Sequence, residues 1–132
     1  MLYLDTSALV KIVVLEPESP ALRGYLSDRP SARAISSYLA HTELLRAART
    51  HGPAVMTKAR TVLGEVHMVD VTRQVLEMAA TLDIGQQLRS LDAIHLATAI
   101  SVLDQLEALV SYDRRLLAAA AELGLPVAAP GS

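Results

Sequence analysis

The sequence contains no cysteine, phenylalanine or tryptophan. Without thiols there is no disulfide framework and no thiolate metal site, so any metal must be held by oxygen or imidazole. Aromatic residues amount to 3%, all of them tyrosine. That is too few to build the stacking platform on which single-strand binders rest bases. An excess of positive charge is missing as well. The formal net charge is −2, which excludes a generic basic nucleic-acid binder. A chain like this that handles nucleic acid must hold phosphate through metal ions and scattered arginine. Its basic residues are mostly arginine, a bias better explained by a GC-rich genome than by selection for guanidinium. No apolar run approaches the ~20 residues that span a bilayer. The opening Met1-Leu2-Tyr3-Leu4-Asp5 lacks the basic start of a secretory signal. The cytoplasm is therefore the expected compartment, with no membrane partner.

What is present is a globular composition, 52% hydrophobic and 20% charged over 132 residues. One domain covering 1–132 is expected, long enough to bury a core without staples. Leu2-Tyr3-Leu4 reads as a buried strand ending at Asp5, followed by a helix from Ser7 to Val14. Ser19 and Pro20 suggest an N-cap and first helical residue for a helix reaching Ser27. Further strands are expected over 32–36, 66–71, 109–111 and 125–128, the last at an edge because of Pro126. Helices are expected over 54–63 and 72–82, and from a Ser37 cap to Thr50. Two more follow, one from Ser90 through Ile100 and one over 114–123, stopped by Gly124. The Ser90 helix is apolar almost all round and should be buried. Strands alternating with helices give an α/β domain, a mainly parallel sheet with helices on both faces.

In such sheets ligands bind at the carboxyl ends of strands. Asp5 ends the first strand and Asp113 follows the strand over 109–111, while Glu43 and Asp92 lie on helices. Each acid also has a plain local reading. Asp5 suits a turn before a capped helix, and Asp113 suits an N-cap. Asp92 suits a first-turn acid, stabilised by about 0.3–1 kcal/mol through the helix dipole. Glu43 suits a solvated residue paired with Arg46. Taken together they point further. Carboxylates gathered at one site raise one another's pKa, and a hard divalent ion removes that penalty. Mg²⁺ takes oxygen ligands and keeps several waters. Such an ion activates water and steadies the oxygens of an in-line displacement at phosphorus.

These segments resemble the PIN-domain ribonucleases of the VapC toxin type, from Met1 to about Ala128. Leu4-Asp5-Thr6-Ser7-Ala8-Leu9-Val10-Lys11 matches the opening motif, and Glu43 within Ala40-His41-Thr42-Glu43-Leu44 matches the second acid. Leu88-Arg89-Ser90-Leu91-Asp92-Ala93-Ile94-His95-Leu96-Ala97-Thr98-Ala99 is the most specific stretch, with Asp92 at the third acid. Val110-Ser111-Tyr112-Asp113-Arg114-Arg115-Leu116 matches the last motif, with Asp113 at the fourth acid and Ser111 at its hydroxyl position. The resemblance implies a three-layer α/β/α fold. It also implies a catalytic and metal-ligating set of Asp5, Glu43, Asp92 and Asp113, with Mg²⁺ or alternatively Mn²⁺. RNA is the implied substrate, a small VapB-like antitoxin the implied inhibitor, and a homodimer within a larger toxin–antitoxin complex the implied assembly. His95 reads either as a ligand or base or, more simply, as a satisfied core histidine. Thr6 and Ser111 suit either the orientation of a metal's water shell or helix capping. Lys11, Arg46 and Arg49 are candidates for phosphate contact against a background of solvated surface charge.

Three other readings fit less well. A phosphoacceptor signalling domain would use Asp70, but Asp5 has no acidic neighbour and the last strand has no Lys. A haloacid-dehalogenase-like phosphatase lacks its second Asp in Asp5-Thr6-Ser7. A PIN domain acting only as a binding module sits poorly with an intact acid set.

Overall fold

The computed structural model describes residues 1–85 and 87–132. Five parallel-paired strands form one sheet in the order β3-β2-β1-β4-β5. They are β1 (Leu2–Leu4), β2 (Ala34–Ser37), β3 (His67–Val69), β4 (Ala108–Val110) and β5 (Val127–Ala128). Period-2 alternation divides the core between the two faces. Leu2, Leu4 and Val110 pack on one face with Leu9, Leu44 and Leu63. Tyr3, Ile35 and Leu109 pack on the other with Leu96, Leu116 and Ala120. The first face is covered by α1 (Thr6–Val13), α2 (Ser19–Ser27), α3 (Leu39–Arg49) and α4 (Pro53–Glu65). The second is covered by α6 (Ser90–Ile100) and α7 (Arg114–Glu122), with α5 (Arg73–Ala80) packed against α6. The result is the expected three-layer α/β/α arrangement, and β5 with its preceding Pro126 is an edge strand.

From β1 the chain crosses to β2 on one side, whereas β4 pairs with β1 on the other. The crevice of a doubly wound sheet opens at such a reversal. Leu4 pairs with Val110 in register, so Asp5 and Ser111 leave the sheet side by side.

Some local expectations change. Ser19 is the first residue of α2, with Glu18 at the N-cap. The buried Ser19 hydroxyl instead donates to the Lys11 carbonyl at 2.6 Å and accepts the Glu16 N–H at 2.9 Å, stapling the turn between two helices. Tyr38, not Ser37, stands at the N-cap of α3. Ser37 ends β2, and its hydroxyl accepts the Leu39 N–H at 3.1 Å. Helix α6 is buried only over His95–Ala99, and Leu91 in its first turn is exposed. Ser90, Ala93 and Ile94 line a shallow apolar depression of about 180 Å³ beside α5. An apolar sequence marks the helix as a whole but does not show which turn emerges from the core. A short 3-10 turn, Leu103–Gln105, was not expected.

Candidate active site

Asp5 is the N-cap of α1, and its Oδ1 accepts the Ala8 N–H at 3.0 Å. The capping reading is therefore correct, but capping alone does not account for what surrounds the side chain. Asp5 is only 4% exposed. Ser7 Oγ donates to Oδ1 and Ser111 Oγ donates to Oδ2, both at 2.6 Å. Among the described residues no Lys or Arg pairs with it. Burial pushes the Asp5 carboxyl above its ordinary range, against the pull of the hydrogen bonds from Ser111, Ser7 and the Ala8 N–H. An ionised carboxylate held by neutral donors alone still lacks a countercharge.

Glu43 is not a solvated partner of Arg46. Its Oε1 accepts from Thr6 Oγ1 at 2.7 Å and from His95 Nε2 at 2.7 Å. Burial pushes the Glu43 carboxyl up. The hydrogen bonds from His95 and Thr6, with the charge of Arg89, outweigh it and hold the group below its usual range. His95 is 2% exposed and meets Tyr3 Oη through Nδ1 at 2.7 Å. It is a satisfied core histidine, but what satisfies it is a site carboxylate.

Asp92 lies in the first turn of α6, with its side chain 20% exposed and 3.4 Å from Arg89 Nε. The expected burial is thus incomplete and the charge is partly balanced. Asp113 caps α7, accepting the N–H groups of Arg115 at 2.9 Å and Leu116 at 3.2 Å. Three of the four acids therefore stand at helix N-termini, where the peptide dipoles favour negative charge.

Glu43 and Asp92 share a depression of about 220 Å³ with Arg89. Asp92 and Asp113 share another of about 290 Å³ with Arg89, Arg114 and Arg115. Asp5 lines neither, but bonds tie it in. The Asp113 N–H donates to Ser111 Oγ at 3.0 Å, Ser111 donates to Asp5, and the next residue, Thr6, donates to Glu43. Among the described residues no three His, Asp or Glu side chains stand as a closed ligand set. A more voluminous depression of about 500 Å³, by Arg33, Tyr38 and His67 near the β3 edge, holds none of the four acids.

A family model described as PIN domain matches residues 2–123. The chain belongs to the PIN domain family. Ribonuclease VapC35 of Mycobacterium tuberculosis is 44% identical over 133 residues, covering 99% of this chain and 98% of its own. That full-length identity places this PIN domain in the VapC type. Among solved structures, a toxin–antitoxin complex from Klebsiella pneumoniae has a TM-score of 0.74 at 22% identity, covering 98% of each chain. VapC20 of Mycobacterium tuberculosis, described as a Sarcin-Ricin loop cleaving toxin, also has a TM-score of 0.74, at 15% identity. That match covers 95% of this chain and 96% of VapC20.

In this PIN domain the basic residues beside the acids are not those expected. Lys11 is committed to Glu18 at 2.8 Å and Glu16 at 3.5 Å, and sits over the Tyr112 ring. Arg46 and Arg49 line neither acidic depression. Arg89, Arg114 and Arg115 do. The sequence carried a signal for two of them. Arg114 and Arg115 open α7, at the end where a helix dipole disfavours cations, so helix stability does not explain them. Asp70 is exposed after the edge strand β3, separated from β1 by β2. It has no place in the Asp5 crevice. No described helix is long and apolar enough to cross a membrane.

Proposed function

We propose that this PIN domain is a divalent-cation-dependent endoribonuclease, the toxin of a toxin–antitoxin pair. The observation that carries the reading is Asp5, a buried carboxylate without a cationic partner among the described residues. It stands where β1 and β4 end, next to a groove that holds Glu43, Asp92 and Asp113. The donor set is all oxygen, which suits Mg²⁺ or Mn²⁺. An open set also suits Mg²⁺, which keeps several waters and takes only one or two carboxylates directly. Asp5 and Asp92 would hold it first, with Glu43 and Asp113 binding it directly or through water. A bound divalent cation supplies an activated water and charge stabilisation at phosphorus.

The chain's own groups divide the remaining work. Ser7 and Ser111 fix both Asp5 oxygens, so the carboxylate is preorganised. Arg89, Arg114 and Arg115 rim the groove and can hold RNA phosphates, for which guanidinium is well shaped. Two further points extend the family resemblance and the negative charge of the groove. A small antitoxin would block the groove and place an arginine against the carboxylates, and the toxin would act as a homodimer.

The decisive assay is RNA cleavage by purified protein in chelator, then with Mg²⁺ or Mn²⁺ restored. Cleavage should vanish and return, and full activity in chelator would exclude the metal mechanism. Affinity for the cognate antitoxin should fall as Mg²⁺ rises at constant ionic strength, because cation and arginine compete for the same oxygens. An affinity indifferent to Mg²⁺ would put inhibition elsewhere on the surface.

A further inference from the structure

The buried interior behind the groove contains a polar chain in an otherwise apolar layer. Tyr3 is fully buried in the centre of β1, between Leu2 and Leu4. Its hydroxyl meets His95 Nδ1 at 2.7 Å, and the two rings stand edge to face at 5.9 Å. The far side of the same imidazole, Nε2, meets Glu43 Oε1 at 2.7 Å. Thr6 Oγ1 donates to that same oxygen at 2.7 Å. Glu43 Oε2 takes no hydrogen bond from the described residues. Four elements are thereby joined: β1 by Tyr3, α1 by Thr6, α3 by Glu43 and α6 by His95.

We infer that Tyr3 and His95 are positioning residues that fix Glu43 by one oxygen, leaving Oε2 as its only working oxygen. The direction of each bond follows from the donor inventory. A carboxylate only accepts, so Nε2 must carry a proton. A neutral imidazole with Nε2–H has a bare Nδ1, which needs a donor when buried. The Tyr3 phenol is that donor. Oε1 then holds two donors, and rotation of the carboxylate would break both bonds. This is a hydrogen-bonded shell behind a ligand, the device by which proteins orient carboxylates for metal. The role of Glu43 toward a cation rests on the function proposed above, whereas the tautomer and the pinned oxygen do not.

The test uses the intact protein in two steps. Long-range ¹H–¹⁵N NMR of the His95 ring in metal-free protein should show a protonated Nε2 and a bare Nδ1. A proton on Nδ1, or averaging between the two tautomers, would overturn the inference. Mn²⁺ affinity, read by the electron paramagnetic resonance of the free ion, should then fall about 10- to 100-fold in His95→Leu, the usual range when the partner behind a metal ligand is removed. It should be largely restored in His95→Gln, whose amide can both donate to Glu43 and accept from Tyr3. Tyr3→Phe should fall in the same direction by less. A histidine that merely fills space would leave the Mn²⁺ affinity of folded His95→Leu unchanged, and that result would refute the positioning role while the nuclease reading stood. If wild-type protein bound no Mn²⁺, both would fall.

Discussion

Asp5 and Glu18 are carboxylates at the N-caps of successive helices, and the chain treats their charges in opposite ways. Lys11 lies 2.8 Å from Glu18 and holds its carboxyl below the ordinary range. Asp5 is buried among two hydroxyls and one amide, and burial drives its carboxyl up. The electrostatics of Glu18 are complete within the chain. Those of Asp5 are not, and a bound cation gains most where the protein has left a negative charge unmatched. A count of acidic residues does not separate the two, but their partners do.

Substitution at each cap should make that difference plain. Asp5→Asn keeps a capping side chain and removes the charge. RNA cleavage should fall by at least about 100-fold, the upper range for losing even an outer partner of a metal site. The metal-free protein should melt no lower than wild type. Glu18→Gln should leave cleavage within a few-fold. Equal cleavage by wild type and Asp5→Asn would erase the distinction. At Asp113 the two roles coincide, so replacements can sharpen it. Asp113→Ala should cost about 0.5–2 kcal/mol of stability through the missing cap, measured by denaturant melts in chelator. Asp113→Asn should be near wild type in stability and reduced in cleavage.

A smaller effect concerns the rim. Removing Arg114 or Arg115 should weaken RNA binding and lower the salt slope of log affinity by about 0.7 for each phosphate left without its guanidinium. Titrations in rising salt measure it, and an unchanged slope would take these arginines off the RNA path. The smallest effect is a pair of opposed pH trends in metal-free protein. The folded-state pKa of Asp5 is raised, so its contribution to stability is lost as pH rises from the ordinary carboxylate range through the raised value. The folded-state pKa of Glu18 is lowered, so its contribution is present above the ordinary value and lost as pH falls through the lowered one. Melts from acid to neutral pH should show difference curves of opposite slope for Asp5→Asn and Glu18→Gln. Parallel curves would show that the two sites do not differ.

The fold was legible because it rests on local pattern. The apolar run Leu2-Tyr3-Leu4, turn residues and the strand–helix rhythm depend on neighbours in sequence, and the parallel sheet with two helical layers follows from them. Asp5, Asp92 and Asp113 were legible as candidates because each carries a local signature: a strand end, a helix first turn and an N-cap. What lies between them was not. The Glu43–His95 bond joins residues 52 positions apart, and the Ser7–Ser111 approach joins residues 104 apart. No periodicity encodes such pairs. Glu43 taken alone therefore read as a solvated residue beside Arg46 and joined the site only through the family resemblance, while the partial exposure of Asp92 was hidden by its apolar helix. Arg114 and Arg115 were readable in principle, since two cations at a helix start oppose the dipole.

The hydrogen bond from Ser111 to Asp5 spans 106 positions. Asp5 therefore leaves a ribosome 106 residues ahead of Ser111. A growing chain that has not released β4 has neither the strand that sets Asp5 in register nor the hydroxyl that fixes its second oxygen. At about 5–20 residues per second, the interval between the two is about 5–20 s. Throughout that time the nascent chain lacks the fixed Asp5 carboxylate, and truncated products ending before Ser111 lack it permanently. On the function proposed above, that interval would be a head start for an inhibitor made alongside the protein, ending once β4 and Ser111 have been released.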